Sequence, residues 1–243
     1  MSESSVERAI AIFEAFERER RPLALKELAD FCRMPASTAH ALVQTLLRKG
    51  WLYQPGRNKD LYPTRRLHDL GSTLLAHDPV LARIEPAMEH LRETTGETVI
   101  FGKRIGTQVG YLAVLESERV VRYSARVGDM KPLHSSSIGK ALLSVLAAGQ
   151  ARALLAEAGM PSVTPATRTS ADALLAEFDA GRGDGCFATH GENVPDVTAF
   201  ATPILLNADW YALAVAGPSH RMAAREHDIR AALTATREAL HSS

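Results

Sequence analysis

The sequence predicts an α+β protein in two parts, a small winged helix-turn-helix followed by a larger mixed domain. Three observations carry that expectation. The first fifty residues hold three short runs of helical periodicity separated by turn residues. Two strand-like runs around a basic, Gly-containing turn follow them. Beyond residue 98, strands in a run give way to mixed helices and strands, the pattern of an α+β domain. With 243 residues, each part is long enough to bury a core.

Val6, Ala9, Ile10, Phe13 and Phe16 recur at helical spacing and predict a first helix over 5–19. In LALKELADFC, the residues Leu25, Leu28, Ala29 and Cys32 share one face of a second helix. That helix stops at Arg33-Met34-Pro35, because Pro35 biases Met34 away from helical backbone. A third helix opens at Ala36 or Ser37, with Ser37 a candidate N-cap, and its core face is Ala39, Leu42, Val43, Leu46 and Leu47. Gly50 ends it after Arg48-Lys49. Two short helices joined by a few residues form a helix-turn-helix, whose second helix can enter a major groove. The runs 51–53 and 60–62 around GRNK then form a β-wing that offers Arg57 and Lys59 to a phosphate backbone. On the third helix the groove-facing positions are Ala36, Ser37, Thr38, His40, Ala41 and Gln44; Gln44 suits adenine, and His40 can donate to a base or a phosphate.

PTRRLHDLGSTLLAHD continues helically through Leu67, Leu70, Leu74 and Leu75, and Asp78-Pro79 restarts a helix that runs to Thr95 before Gly96. The predicted division is a DNA-binding domain over 1–66, a linker helix over 67–78 and a second domain over 79–243. In that second domain 98–103, 108–116 and 119–124 read as strands, and 139–147, 150–157 and 171–180 as helices. Strands at 197–205 and 210–216 and a helix over 223–240 complete the expectation.

A formal net charge of zero conceals an asymmetry. From Arg18 to Arg66 there are eleven Lys/Arg against four acids, an excess of seven, the footprint of a polyanion-binding module. Two cysteines are too few for a disulfide framework or a thiolate metal site, which suits a reducing cytosol. MSESSVERAI has no basic-then-apolar signal pattern, and no apolar run approaches the ~18 residues of a membrane helix.

HSSSIGKALL, residues 134–143, invites three enzymatic readings, and each lacks a part. A phosphate-binding loop needs G-x-x-x-x-G-K-[S/T], but His134 and Ala141 replace its first glycine and its hydroxyl. Ser137 and Lys140 spell S-x-x-K, with no S-D-N or K-T-G to accompany them. His190-Gly191-Glu192 spells H-x-E, without the P-C-x-x-C of a zinc deaminase. The serines instead precede a helix beginning near Gly139 and form a polar cup, able to cap it or to hold a ligand oxygen.

LALKELADFCRMPASTAHALVQTLLRKGWL, together with GETVIFGK, RVGDMKPLHSSSIGKALLS and GENVPDVTAFATPI in that order, resembles the IclR family of bacterial transcriptional regulators across nearly the whole chain. The resemblance implies a GAF-like effector-binding domain, a pseudo-palindromic duplex DNA partner, a small-molecule effector, and a homodimer or dimer of dimers in the cytoplasm. It implies no cofactor and no membrane. The family usually has Gly where Arg33 stands, a basic residue at Ala36 and Arg at Ala41, so this chain lacks cations that elsewhere contact DNA. The effector pocket carries over to Ser137 and Ile138, Thr189, Ala199 with Val197, and Ala214 and Ala216. A small, partly apolar effector is implied, its polar end facing Ser135, Ser136 and Ser137 with His190 a candidate partner, while His134 and Glu192 hold loops together. A rival expectation is an enzyme acting through Cys186, His190 and Glu192, since strand alternation puts Cys186 and His190 on one face.

Overall fold

Helix α1 (Ser5–Glu19) begins with a reciprocal cap. Glu7 N–H donates to Ser4 Oγ at 3.2 Å, and Ser4 N–H donates to the Glu7 carboxylate at 2.6 Å. Its buried face is Ile12, Ala15 and Phe16, whereas Val6 and Ile10 stay exposed. Helix α2 (Leu25–Phe31) and helix α3 (Ala36–Arg48) follow, as the periodicity predicts. Pro35, not Ser37, is the N-cap of α3, and it supplies no side-chain cap; Ser37 sits in the first turn, facing out. Ala39 and Val43 are buried, with Leu42, Leu46 and Leu47 half-buried beside them. The wing is a single antiparallel pair, β1 (Leu52–Tyr53) and β2 (Tyr62–Pro63), with Leu61 bridging back to Leu23. Helix α4 (Arg66–Ala76) has no buried residue.

The computed structural model describes residues 4–56, 58–181 and 183–241; Arg57, a predicted wing contact, lies outside them. The chain divides into two compact units, one ending at Asp78 and the other beginning at Pro79.

In the second unit, α5 (Pro79–Thr95) leads into a six-stranded antiparallel sheet of order β5-β4-β3-β8-β7-β6. The strands are β3 (Thr98–Ile105), β4 (Gln108–Leu115), β5 (Met130–Pro132), β6 (Phe187–His190), β7 (Val197–Leu206) and β8 (Asp209–Pro218). On one face α5, α9 (Ser219–Ala224) and α10 (Glu226–His241) bury Ile84, Met88, Leu91, Ile229 and Leu233 against Phe101, Phe200 and Leu213. On the other, α6 (Ser137–Ser144), α7 (Ala148–Ala158) and α8 (Ala171–Gly181) bury Leu142, Leu155, Leu174 and Phe178.

Two further expectations fail. Residues 119–124 form no strand: Val120 and Val121 are 94% and 65% exposed, and the edge beside β4 is taken by β5 instead. Val120, Val121 and Tyr123 give the segment strand-type composition, but with no partner ladder and no buried face it stays a loop. The last helix is two helices, broken at Arg225, whose guanidinium donates to the Thr95 and Thr94 carbonyls at 2.6 and 3.1 Å.

Candidate functional site

The turn between α2 and α3 is held by the backbone. Cys32 N–H donates to the Leu28 carbonyl at 3.0 Å and Met34 N–H to that of Ala29 at 3.0 Å, with Arg33 between them in left-handed backbone at φ +48°. That geometry leaves Ala36, Ser37, His40, Ala41 and Gln44 exposed on α3, with Thr38 half-buried. Thr45 and Arg48 extend the same face, one turn beyond Ala41 and Gln44, and the Arg48 guanidinium donates to Thr45 Oγ1 at 3.3 Å. Both lie beyond the predicted groove-facing set, and their i+4 spacing from Ala41 and Gln44 is the sequence signal for them. Lys59 is exposed at φ +56° in the wing.

A cavity of about 30 Å³ lies between the sheet and α6. Cross-strand register builds its floor: Ala199 pairs with Ala216 and with Thr189, and Ala214 pairs with Ile100. Three alanines on neighbouring strands leave room that larger side chains would fill. Ser136, Ser137 and Ile138 from α6 and its cap, Val197, and the loop residues Tyr123, Asn193 and Val194 complete the lining with Tyr111. Burial is the main reason the Tyr111 phenol stays protonated well above its ordinary range. Ser137 and Thr189 are 4% and 5% exposed, and neither hydroxyl, nor the Asn193 amide, hydrogen-bonds to another described residue. No charged side chain is part of this lining.

Beside the cavity, GK has a structural explanation. A Cβ on Gly139 would lie 2.6 Å from Leu133 Cα and 2.7 Å from its carbonyl carbon, so only glycine lets α6 approach that backbone. Lys140 is fully buried, and its ammonium donates to Glu192 Oε1 at 2.8 Å, Glu177 Oε1 at 2.9 Å and the Ala188 carbonyl at 3.0 Å. Arg168 adds a second cation, 3.3 Å from Glu177 Oε2. No phosphate cradle is left over: the glycine serves packing and the lysine serves a buried ion cluster.

Residues 5–56 match the IclR helix-turn-helix domain, and residues 72–241 match the bacterial transcriptional regulator IclR C-terminal domain. The chain belongs to the IclR family of bacterial transcriptional regulators. Among relatives of this IclR-family chain, the HTH-type transcriptional repressor AllR of Escherichia coli K12 is 27% identical over 220 residues, 90% of this chain and 81% of that protein. The Thermotoga maritima IclR structure superposes with a TM-score of 0.80 at 20% identity, covering 96% of each chain. An IclR homolog of Microbacterium hydrocarbonoxydans, complexed with 4-hydroxybenzoate, superposes at 0.77 with 24% identity, covering 99% of this chain and all of that one.

Within the IclR-family fold, eight of the ten residues predicted around an effector meet at the cavity: Ser136, Ser137, Ile138, Thr189, Val197, Ala199, Ala214 and Ala216. Ser135 and His190 do not. Helix α6 starts at Ser137, two residues earlier than predicted; Ser136 is its N-cap, accepting from Gly139 N–H at 3.2 Å, while Ser135 Oγ is enclosed away from the lining with no hydrogen-bond partner among the described residues. Strand β6 alternates, so Thr189 points to the cavity and exposed His190 to the opposite face, edge-on to Phe200 with ring centroids 6.1 Å apart. Ile100, Tyr111, Tyr123, Asn193 and Val194 escaped the sequence reading. Ile100 and Tyr111 read only as strand hydrophobics, and the loops carried no periodic signal.

Cys186, His190 and Glu192 line one cavity of about 450 Å³ together with Arg168, Glu177 and Arg230, as strand alternation predicts for Cys186 and His190. Cys186 packs with the α10-side core, and burial pushes its thiol up to about 12. Glu192 is bound by Lys140, and its carbonyl accepts from Thr167 Oγ1 at 2.7 Å, so it pins a loop as the family resemblance implies. His134 does likewise: its Nε2–H donates to the Pro161 carbonyl at 3.0 Å. Among the described residues no helix is long and apolar enough to cross a membrane.

Proposed function

We propose that this IclR-family regulator grips a pseudo-palindromic duplex site in the cytosol as a homodimer or dimer of dimers, and that a small, partly apolar metabolite in the cavity under α6 tunes that grip. Ala36, Ser37, Thr38, His40, Ala41 and Gln44 present α3 to the major groove, Gln44 and His40 reading base edges, while Lys59 and Arg57 of the wing take phosphates. Pairing of copies is supported by α4, where Leu67, Leu70, Leu74 and Leu75 are 39%, 46%, 63% and 64% exposed.

One observation carries the effector reading: an alanine floor under three polar side chains with no hydrogen-bond partner among the described residues, Ser137, Thr189 and Asn193. Such groups are ordinarily satisfied, and a ligand with one polar end satisfies them. The relative complexed with 4-hydroxybenzoate supports a single-ring aromatic acid or phenol. At about 30 Å³ the cavity is too small for a ring, so binding moves the loop segments of Tyr123 and of Asn193-Val194, since the other walls are helix, cap or strand. The ligand changes DNA affinity only by favouring one arrangement of the paired DNA-binding units over another.

Calorimetry of the full chain against small acids, amides and phenols tests this. A hit whose affinity collapses with Ser137→Trp or Ala214→Leu supports the site. A hit indifferent to both moves it elsewhere, and consumption of the compound that vanishes in Cys186→Ala favours an enzyme.

A further inference from the structure

Among the described residues up to Asp78, three non-glycine residues hold left-handed backbone: Arg20 at φ +52°, Arg33 at +48° and Lys59 at +56°. All three are cations. Long L-side chains resist this region, and the non-glycine residues that accept it are enriched in Asn and Asp. The C-terminal unit follows that preference with Asp196 and Asn207, beside Ala208. Arg20 has a local reason, since it caps α1 through an N–H bond to the Phe16 carbonyl at 2.9 Å, where a cation meets the negative end of the helix dipole. Lys59 is already part of the wing.

Arg33 stands three residues before α3, exposed, and its guanidinium makes no hydrogen bond or ion pair with another described residue. Glycine would hold the same turn without strain, since Met34 and Cys32 supply the backbone bonds. Strain kept at a free cation, in the turn that introduces the exposed face of α3, is the signature of a side chain retained for what it touches in a complex. We propose that Arg33 grips a DNA backbone phosphate at the N-terminal end of α3. This rests on the DNA-binding reading above. The competing explanation is a contact with the dipole of the two-turn α2, which ends beside it.

The test is fluorescence anisotropy of the full chain on a mixed-sequence duplex of about 30 base pairs, between about 50 and 200 mM salt, with melting temperatures measured in parallel. Arg33→Gly should melt higher, bind about eightfold more weakly per copy near 0.1 M salt, and lower the log–log salt slope by about 0.9 per copy. Arg33→Asn, neutral and tolerant of left-handed backbone, should lose the same affinity and slope, while Arg33→Lys should keep the slope. If Arg33→Gly and Arg33→Asn bind as tightly as the native chain with the slope unchanged, Arg33 is no phosphate contact. If the native chain itself ignores the duplex at low salt, the DNA-binding reading fails and this inference falls with it.

Discussion

Replacing Lys140 by Met tests the ion cluster that holds α6, α8 and the Glu192 loop together. The substitution keeps an unbranched side chain one atom shorter and removes its charge and donors. It leaves Glu192, 4% exposed, with Arg168 at 3.8 Å as its nearest remaining cation, and Glu177, 23% exposed. Removing one partner of a buried pair costs about 3–5 kcal/mol. Because Glu177 can regain water, the lower end, about 3 kcal/mol, is the expected loss. A unit of this size shifts by roughly 2–4 °C per kcal/mol, so its melting transition should fall by about 6–12 °C. Scanning calorimetry with circular dichroism reads this directly. Adding Glu192→Gln to Lys140→Met should restore part of the loss, because replacing both members of a buried pair is often near neutral. A loss under about 1 kcal/mol, or no recovery in the double variant, would refute the assignment of Lys140 as the cation on which these acids depend.

Two further perturbations address the same neighbourhood. Gly139→Ala drives a methyl group into the Leu133 backbone, which cannot swing aside, and should destabilise by about 1–3 kcal/mol in urea titrations; unaltered stability would mean that α6 shifts freely. Burial holds the His134 imidazole below its ordinary pKa of about 6.5, against the pull of the Pro161 carbonyl and Glu192 and with some help from Lys140. The unfolded chain therefore takes up this proton first, so stability is retained above about pH 6.5 and lost as pH falls below it. His134→Gln keeps a donor for Pro161 and should flatten that acidic limb relative to the native chain; identical pH profiles from about 5 to 8 would exclude His134 as its source.

The helix-turn-helix was legible because its helices are short amphipathic runs closed by local signals, among them Gly50 and the pre-proline Met34. Where the sequence misled, the missing information was a partner. Residues 119–124 have the Val and Tyr content of a strand yet no ladder, while β5, only three residues long, gains its place from Gln108, Val109 and Gly110 across the register. All three serines ahead of Gly139 read as able to cap the helix, yet Ser136 alone takes the cap, accepting from Gly139 N–H while its hydroxyl donates to the Pro132 carbonyl at 2.7 Å.

The cavity divides along the same line. The family resemblance brought together the small residues Ala199, Ala214 and Ala216 that line it, and the alternation that keeps Ala214 and Ala216 on one face of β8 is a local property. The resemblance could not place His190, which the pleat turns away, nor supply Tyr123, Asn193 and Val194 from loops without periodicity. The amino-acid order by itself determined the element types, the cationic N-terminal region and the apolar stripes, since these follow from neighbours a few residues apart. Which serine caps α6, which carboxylates surround Lys140 and which residues share the cavity were decided only when strands far apart in the chain met in register, because burial and ion pairing depend on distances that the linear order does not contain.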